Sequence, residues 1–178
     1  MFRSLLLGLI VAGIIFVIDQ YTKWLAIHYI FTDTPDTATF IGWLGAADIF
    51  LPQTVVEMTS FFNLVMVWNH GVSFGIMNIG TDDYAMVLIA LSLVICFVLC
   101  LWLWNSATFV SSILLGAIIG GALGNSFDRL RFGAVVDFLD FHVYNYHWPA
   151  FNMADTAITV SVVILILMQL FGENDTNE

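Results

Sequence analysis

Four apolar runs divide the chain, and polar residues gather at the junctions between them. The first, about 5–27, opens as LLLGLIVAGIIFVI (Leu5–Ile18), passes through Asp19 to Lys23 and resumes at Trp24. About 20 apolar residues cross the hydrocarbon core of a bilayer. No small-residue cleavage pattern follows the run, so it reads as a retained transmembrane helix rather than a leader. The second run, 86–104, holds 19 residues without a charge. After the short Asn105-Ser106 connection a third helix returns antiparallel over about 107–127. It carries Gly116, Gly120 and Gly124, a spacing that lets another helix approach closely. The fourth run, 154–171, begins at Ala154 and ends near Phe171.

Between the first two spans the pattern changes. Residues 32–68 bring in Thr, Asp, Pro and Gly, with Asp33, Asp36, Asp48 and Glu57 as exposed charges and Pro35 and Pro52 as helix breakers. Phe61–Trp68 is short, aromatic and β-branched, which predicts a strand. Aromatics such as Phe40, Trp43, Phe50 and Trp68 suit the headgroup layer. A small β-platform outside the membrane, about 32–75, is therefore expected, closed by a turn in which Asn69 and Gly71 supply the reversal. After the third helix, Gly133 reads as a hinge and Ala134–Phe138 as an extended apolar segment. An aromatic loop and Pro149 follow, and the tail from Gly172 to Glu178 is polar and reads as disordered.

Composition agrees with these elements. The chain has 178 residues, is 60% hydrophobic and only 10% charged, against about 25% charged in soluble domains. The expected fold is an α-helical integral membrane protein of four transmembrane helices with a small extracytoplasmic β-platform, in one domain over residues 1–178. The net charge of −10 argues against nucleic acid and against a polybasic lipid anchor, and leaves membrane lipids as neighbours. Cys96 and Cys100 sit four apart in an apolar run and read as small buried residues. His28, His70, His142 and His147 are scattered, which gives no metal-ligand cluster. With four spans both termini share one side. Arg3 favours a cytoplasmic N-terminus, which puts the platform, the end of the third helix and the start of the fourth at the outer face.

Candidate chemistry lies in Gly116–Asp155. This stretch holds Asp128, Asp137, Asp140, Asp155, Arg129 and Arg131 between two apolar runs. An ionisable group at membrane depth costs about 2.5–3.5 kcal/mol on insertion scales and is a functional candidate by default. Asn125, Asp128 and Arg129 share a helix face, as do Asp19 and Lys23. Asp19 and Lys23 either satisfy each other at the helix end, with Lys23 snorkelling, or line a site. Asn152 three residues before Asp155 resembles a capping box. Asp137 lies among valines and phenylalanine, which raises a carboxyl's pKa unless it is paired. Two carboxylates brought together share a proton, one acting on water and the other on a carbonyl. Asp137 and Asp155 fit that scheme, and Asp128 competes with Asp137 on spacing. No nucleophile elbow or zinc-protease motif offers an alternative nucleophile. A proton- or cation-coupled small transporter using the same acids is the other reading.

Five blocks carry a family resemblance: D-Q-Y-T-K (Asp19–Lys23), N-H-G-V-S-F-G (Asn69–Gly75), G-G-A-L-G-N-S-F-D-R (Gly120–Arg129), V-V-D-F (Val135–Phe138) and F-N-M-A-D (Phe151–Asp155). In this order they closely resemble signal peptidase II, the bacterial lipoprotein signal peptidase family. The resemblance implies an aspartic endopeptidase of the bacterial plasma membrane, without metal or organic cofactor. It implies prolipoprotein substrates carrying a diacylglyceryl-modified cysteine, cut just before that cysteine. The protein is expected to be a monomer. It makes Asp137 and Asp155 the catalytic pair, supported by Asp19, Lys23, Asn69, Gly71, Asn125, Asp128, Arg129 and Asn152. Asp128 then takes a structural role, holding Arg129 or a backbone turn, and Asp140 is read as exposed. Asp155 at a helix N-terminus is expected to be the more ionised member of the pair.

Overall fold

A computed structural model describes residues 2–30, 39–47, 51–71, 81–105 and 108–172. The Pro35 stretch, Asp48, Phe50, the Val72–Gly75 half of the second block, the Asn105-Ser106 connection beyond Asn105 and the tail after Gly172 lie outside the described residues. Four helices are long and apolar enough to cross a membrane: α1 (Phe2–Ile30), α3 (Thr81–Asn105), α4 (Phe109–Phe132) and α5 (Met153–Gly172). A short helix α2 (Phe40–Gly45) and strands β1 (Thr54–Glu57) and β2 (Phe62–Asn69) lie between α1 and α3. Strands β3 (Val135–Val143) and β4 (Tyr146–His147) lie between α4 and α5.

The central helix is α4, the least apolar of the four (mean hydropathy 1.6) and the most buried. It packs against α1, α3 and α5. Its glycines explain how. A Cβ on Gly116 would strike the Gly8 carbonyl of α1, and one on Gly120 the Ala12 carbonyl. On the other side, a Cβ on Gly121 would lie 2.7 Å from the Ala154 carbonyl of α5. The helices therefore meet backbone to backbone. Small residues permit this where burial of apolar side chains against lipid offers no net drive. A cluster of Ala12, Cys96, Leu103, Leu115 and Ile119 fills the space between α1, α3 and α4.

The four strands form one antiparallel sheet in the order β1-β2-β3-β4. It is shared between the two halves of the chain, whereas the sequence pattern places β-structure mainly in the first. The sheet covers the end of the bundle where α1 and α4 finish and α3 and α5 begin. A β-bulge between Leu64 and Val67 sets Val67 opposite Asp137 and Asn69 opposite Val135. Trp43 of α2 is wholly buried and, with Ile27, Leu51, Met66 and Val136, forms a second core that fixes sheet to helices.

Three expectations change. The third helix does not end at Phe127 but runs to Phe132 and is capped by Gly133, whose φ of 68° is left-handed. Gly133 is thus a helix cap rather than a hinge, and Arg129 and Arg131 occupy the last turn, where cations oppose the dipole. The segment after Asp137 is not a loop. β3 continues to Val143 and turns back through Tyr144 (φ 53°) into β4. The start of β3, Val135 to Phe138, is buried on both faces, as the continuous apolar run of a fully covered strand requires, and is the part of β3 that the sequence predicts as extended.

Gly13, on the same helix as Gly8, faces open space. This contrast yields a test. Gly120→Ala forces a methyl into the Ala12 carbonyl, at about 1–3 kcal/mol, and lowers the Tm in detergent by about 2–12 °C. Gly13→Ala leaves the Tm unchanged or slightly higher. Equal Tm values for the two variants would contradict the backbone contact.

Candidate active site

Polar side chains of α1, α4, β2, β3 and α5 converge where the sheet meets the helices. Asp137 comes from β3 and is buried. Its Oδ2 accepts a hydrogen bond from Asn69 Nδ2 at 2.9 Å, and its Oδ1 one from Asn152 Nδ2 at 2.8 Å. Asn69 is oriented in turn because its Oδ1 accepts from the Gly71 N–H at 2.8 Å. Gly71 has φ 77°, and its Cβ position faces Leu88, Tyr84 and Arg129. A side chain there would be both strained and crowded.

Asp155 comes from the first turn of α5. Asn152 and Asp155 form a reciprocal capping box: the Asp155 N–H donates to Asn152 Oδ1 at 3.0 Å, and the Asn152 N–H to Asp155 Oδ2 at 3.2 Å. The local cap and the polar site are one structure. Asn125 of α4 adds a donor, its Nδ2 lying 2.8 Å from Asp155 Oδ1. Asn152 therefore touches both aspartates, through its side chain to Asp137 and its backbone to Asp155. Burial, and next the charge of Asp155, push the Asp137 carboxyl up to about 7, while hydrogen bonds from Asn69 and Asn152 and the charge of Lys23 pull the other way. That Asp137 occupies the more apolar setting accords with its sequence neighbours.

Behind the pair lies a buried ion cluster. Lys23 is fully buried and does not snorkel. Its Nζ lies 2.7 Å from both Asp19 Oδ2 and Asp128 Oδ2. Asp128 holds the start of β3 rather than a turn, accepting from the Val136 N–H at 3.3 Å. Its arginine partner is Arg131 at 3.2 Å and not Arg129. Gln20 bridges Asp19, Asp128 and Arg131. Sequence reasoning misses Gln20 and Arg131 as members of the site, although Gln20 stands inside the first block and Arg131 one turn past Asp128. Arg131 also donates to the Trp43 carbonyl and stacks over Trp43, Phe127 and Phe132. Arg129 lies within electrostatic range of Asp155 and Asp137, and also of Asp128. Among the described residues its Nε has no partner.

Asp140 is not exposed. It is 6% accessible, accepting from Asn63 Nδ2 at 2.9 Å and paired with His147 Nδ1 at 2.8 Å. The register of β2 on β3 puts Asn63 opposite Asp140, a pairing visible only once the strands are aligned. His142 and His147, scattered in the sequence, stack across the β3–β4 hairpin at 4.8 Å. Cys96 and Cys100 are free thiols inside α3, away from the site.

Spanning helices covered at one end by a small sheet are shared with solved membrane enzymes. A bacterial membrane enzyme solved by the in meso method at 1.9 Å resolution superposes with TM-score 0.69 at 26% identity, covering 95% of this chain and 94% of that one. A second, at 2.3 Å, gives TM-score 0.70 at 24% identity, covering 96% and 92%. A family model described as signal peptidase (SPase) II matches residues 11–171. The lipoprotein signal peptidase of Francisella tularensis subsp. novicida is 38% identical over 165 residues, covering 91% of this chain and 90% of that one. That of Anaplasma phagocytophilum is 34% identical over 175 residues, covering 98% and 99%. The chain belongs to the signal peptidase II family and is a multi-span membrane peptidase.

The raised Asp137 carboxyl carries a stability consequence. Its folded pKa of about 7 stands above the ordinary 3.8, so the folded state binds this proton more tightly than the unfolded chain. The contribution is present below about pH 4 and is lost as pH rises toward about 7. Asp137→Asn removes that loss. Its Tm is expected to exceed wild type by several degrees at about pH 8.5 and to match it at about pH 4. Parallel Tm–pH curves for the two proteins would refute the assignment.

Proposed function

We propose that Asp137 and Asp155 form the catalytic dyad of an aspartic endopeptidase that removes signal peptides from prolipoproteins bearing a diacylglyceryl-modified cysteine, cutting just before that cysteine. The observation that carries this reading is Asn152, which binds both carboxylates and holds them at one point where the membrane-spanning bundle meets the sheet. Asp155 also borders a cavity of about 520 Å³ between the start of α5 and the segment Trp148–Phe151. Its walls are mostly apolar, which suits a peptide presented from lipid.

In the proposed reaction Asp155, held by the donors of Asn125 and the Asn152 N–H, accepts a proton from water. Asp137, protonated, donates to the scissile carbonyl oxygen. The water oxygen bonds to the carbonyl carbon and gives a gem-diol. Its collapse breaks the C–N bond, with Asp155 returning its proton to the leaving nitrogen and Asp137 regaining one from the diol. Arg129 is placed to steady the peptide carbonyl in its tetrahedral form. Asn69, Gly71 and Asn152 orient Asp137. Asp19, Lys23, Asn125 and Asp128 support the pair from behind. No step needs a metal or an organic cofactor.

Orientation belongs to the same proposal. With Arg3 and the N-terminus cytoplasmic, four spans return the C-terminus to the cytoplasm. The sheet and both aspartates then face the outer side of the plasma membrane, as one domain over the whole chain. The same reading takes the protein as a monomer surrounded by membrane lipid. Family membership displaces the transporter reading of these acids.

Asp137→Asn and Asp155→Asn are each expected to lower cleavage of a lipid-modified precursor by about 10²–10⁴-fold, the usual contribution of a positioned acid or base, while the protein stays folded. A gel-shift assay of precursor against product measures it. Undiminished cleavage by either folded variant would sink the dyad.

A further inference from the structure

Lys23 touches neither aspartate of the pair, yet its three partners all lead to them. Its Nζ meets Asp19 Oδ2 at 2.7 Å, Asp128 Oδ2 at 2.7 Å and Asn125 Oδ1 at 3.2 Å. An ammonium has three protons and no lone pair, so these acceptors use it fully. Each clamped carboxylate also holds a backbone N–H. Asp19 Oδ1 accepts from Ala154 at 3.0 Å, one residue before Asp155. Asp128 Oδ2 accepts from Val136 at 3.3 Å, one residue before Asp137. One buried cation on α1 thus governs the backbone position of both aspartates, on β3 and α5.

The third partner adds direction. The oxygen and nitrogen of an asparagine amide have nearly the same shape, and only their neighbours decide which way it faces. Lys23 can only donate, so the Asn125 oxygen turns toward it and also accepts from Asn152 Nδ2 at 3.1 Å. The Asn125 nitrogen is left for Asp155 Oδ1, 2.8 Å away. A flipped amide would set oxygen against carboxylate oxygen.

We propose that Lys23 is a positioning residue of the hydrolytic site: through Asp19 and Asp128 it sets the backbones of both aspartates, and through Asn125 it keeps the group facing Asp155 a hydrogen-bond donor. This rests on the reading of Asp137 and Asp155 as the reacting pair. The other charge near the pair is Arg129. Arg131 bonds Asp128 and completes a balanced cluster of two cations and two carboxylates. A compact ammonium suits three acceptors converging on one point, which a planar guanidinium does not.

Loss of Lys23 alone would strand two buried carboxylates, so the test restores the balance. Lys23→Met/Asp128→Asn and Lys23→Gln/Asp128→Asn leave Asp19 with Arg131, and each leaves an amide oxygen at position 128 for the Val136 N–H. They have the same charge and differ in whether residue 23 can donate to Asn125. The Met form is expected to lose about 10²-fold in kcat with KM little changed. The acid limb of its pH–rate profile should move up by about one pH unit. The Gln form should keep that limb at the wild-type position. Identical profiles for the two folded forms overturn the proposal, because a merely structural lysine would affect both alike. If the Met form does not fold, Lys23→Leu/Asp128→Asn, which likewise cannot donate to Asn125, takes its place in the comparison with the Gln form. Asp155→Asn separates the two levels of argument. If it still cleaves, the dyad reading has failed; if it is inactive while the Met form matches wild type, only the role of Lys23 has failed.

Discussion

The structure turns on one fully buried ammonium shared by two carboxylates. Lys23, Asp19 and Asp128 have no access to solvent, and such a group survives only if every charge is paired and every proton placed. Removing one member of a buried cluster of this kind costs about 3–5 kcal/mol, a large share of a typical folding free energy. That demand reaches outward. It requires α1 and α4 to approach closely at Gly116, Gly120 and Gly124, where a Cβ on Gly124 would lie 2.5 Å from Asp19 Oδ2. It also requires the first turn of α5 and the start of β3 to deliver backbone N–H groups to the two carboxylates.

From that centre the polar chemistry runs one way. Asn125 faces the ion cluster with its oxygen and Asp155 with its nitrogen. Asn152 links Asn125, Asp137 and the α5 cap. The two aspartates end in unlike settings. Asp155 is part of a helix cap, where N–H groups converge. Asp137 sits in a strand buried on both faces, where desolvation dominates. In the hydrolysis proposed above, this asymmetry separates the parts of base and acid. Arg129 stands apart from the ion cluster because Arg131 has taken its place there.

The sheet completes the site and joins the two halves of the chain. α2 holds it down through Trp43, which packs on Phe132 and lies beneath the Arg131 guanidinium. Its outer hairpin carries a second polar set, with Asp140 bonded to Asn63 and His147. That set satisfies a buried carboxylate away from Asp137 and Asp155.

By itself the sequence determined the spans, because an uncharged run of 19 residues has few other fates. It also determined the strand near Phe61–Trp68, the close approach of another helix at the glycines of α4, and the Asn152–Asp155 cap. Those signals are local: a period, a spacing or a cap is written within a few neighbouring positions. The tertiary structure decided which polar groups meet. Arg131 rather than Arg129 pairs with Asp128 because α4 runs one more turn to the left-handed cap at Gly133. Asp140 is buried because β2 lies opposite β3 in one particular register, and the hairpin beyond Phe138 continues past the apolar run that announces the start of β3. Asn125, which the Lys23 ammonium reaches, lies 102 residues further along the chain, and no local pattern records such a distance. Only packing the helices turns a lysine near the end of one span into the support of two aspartates on other elements.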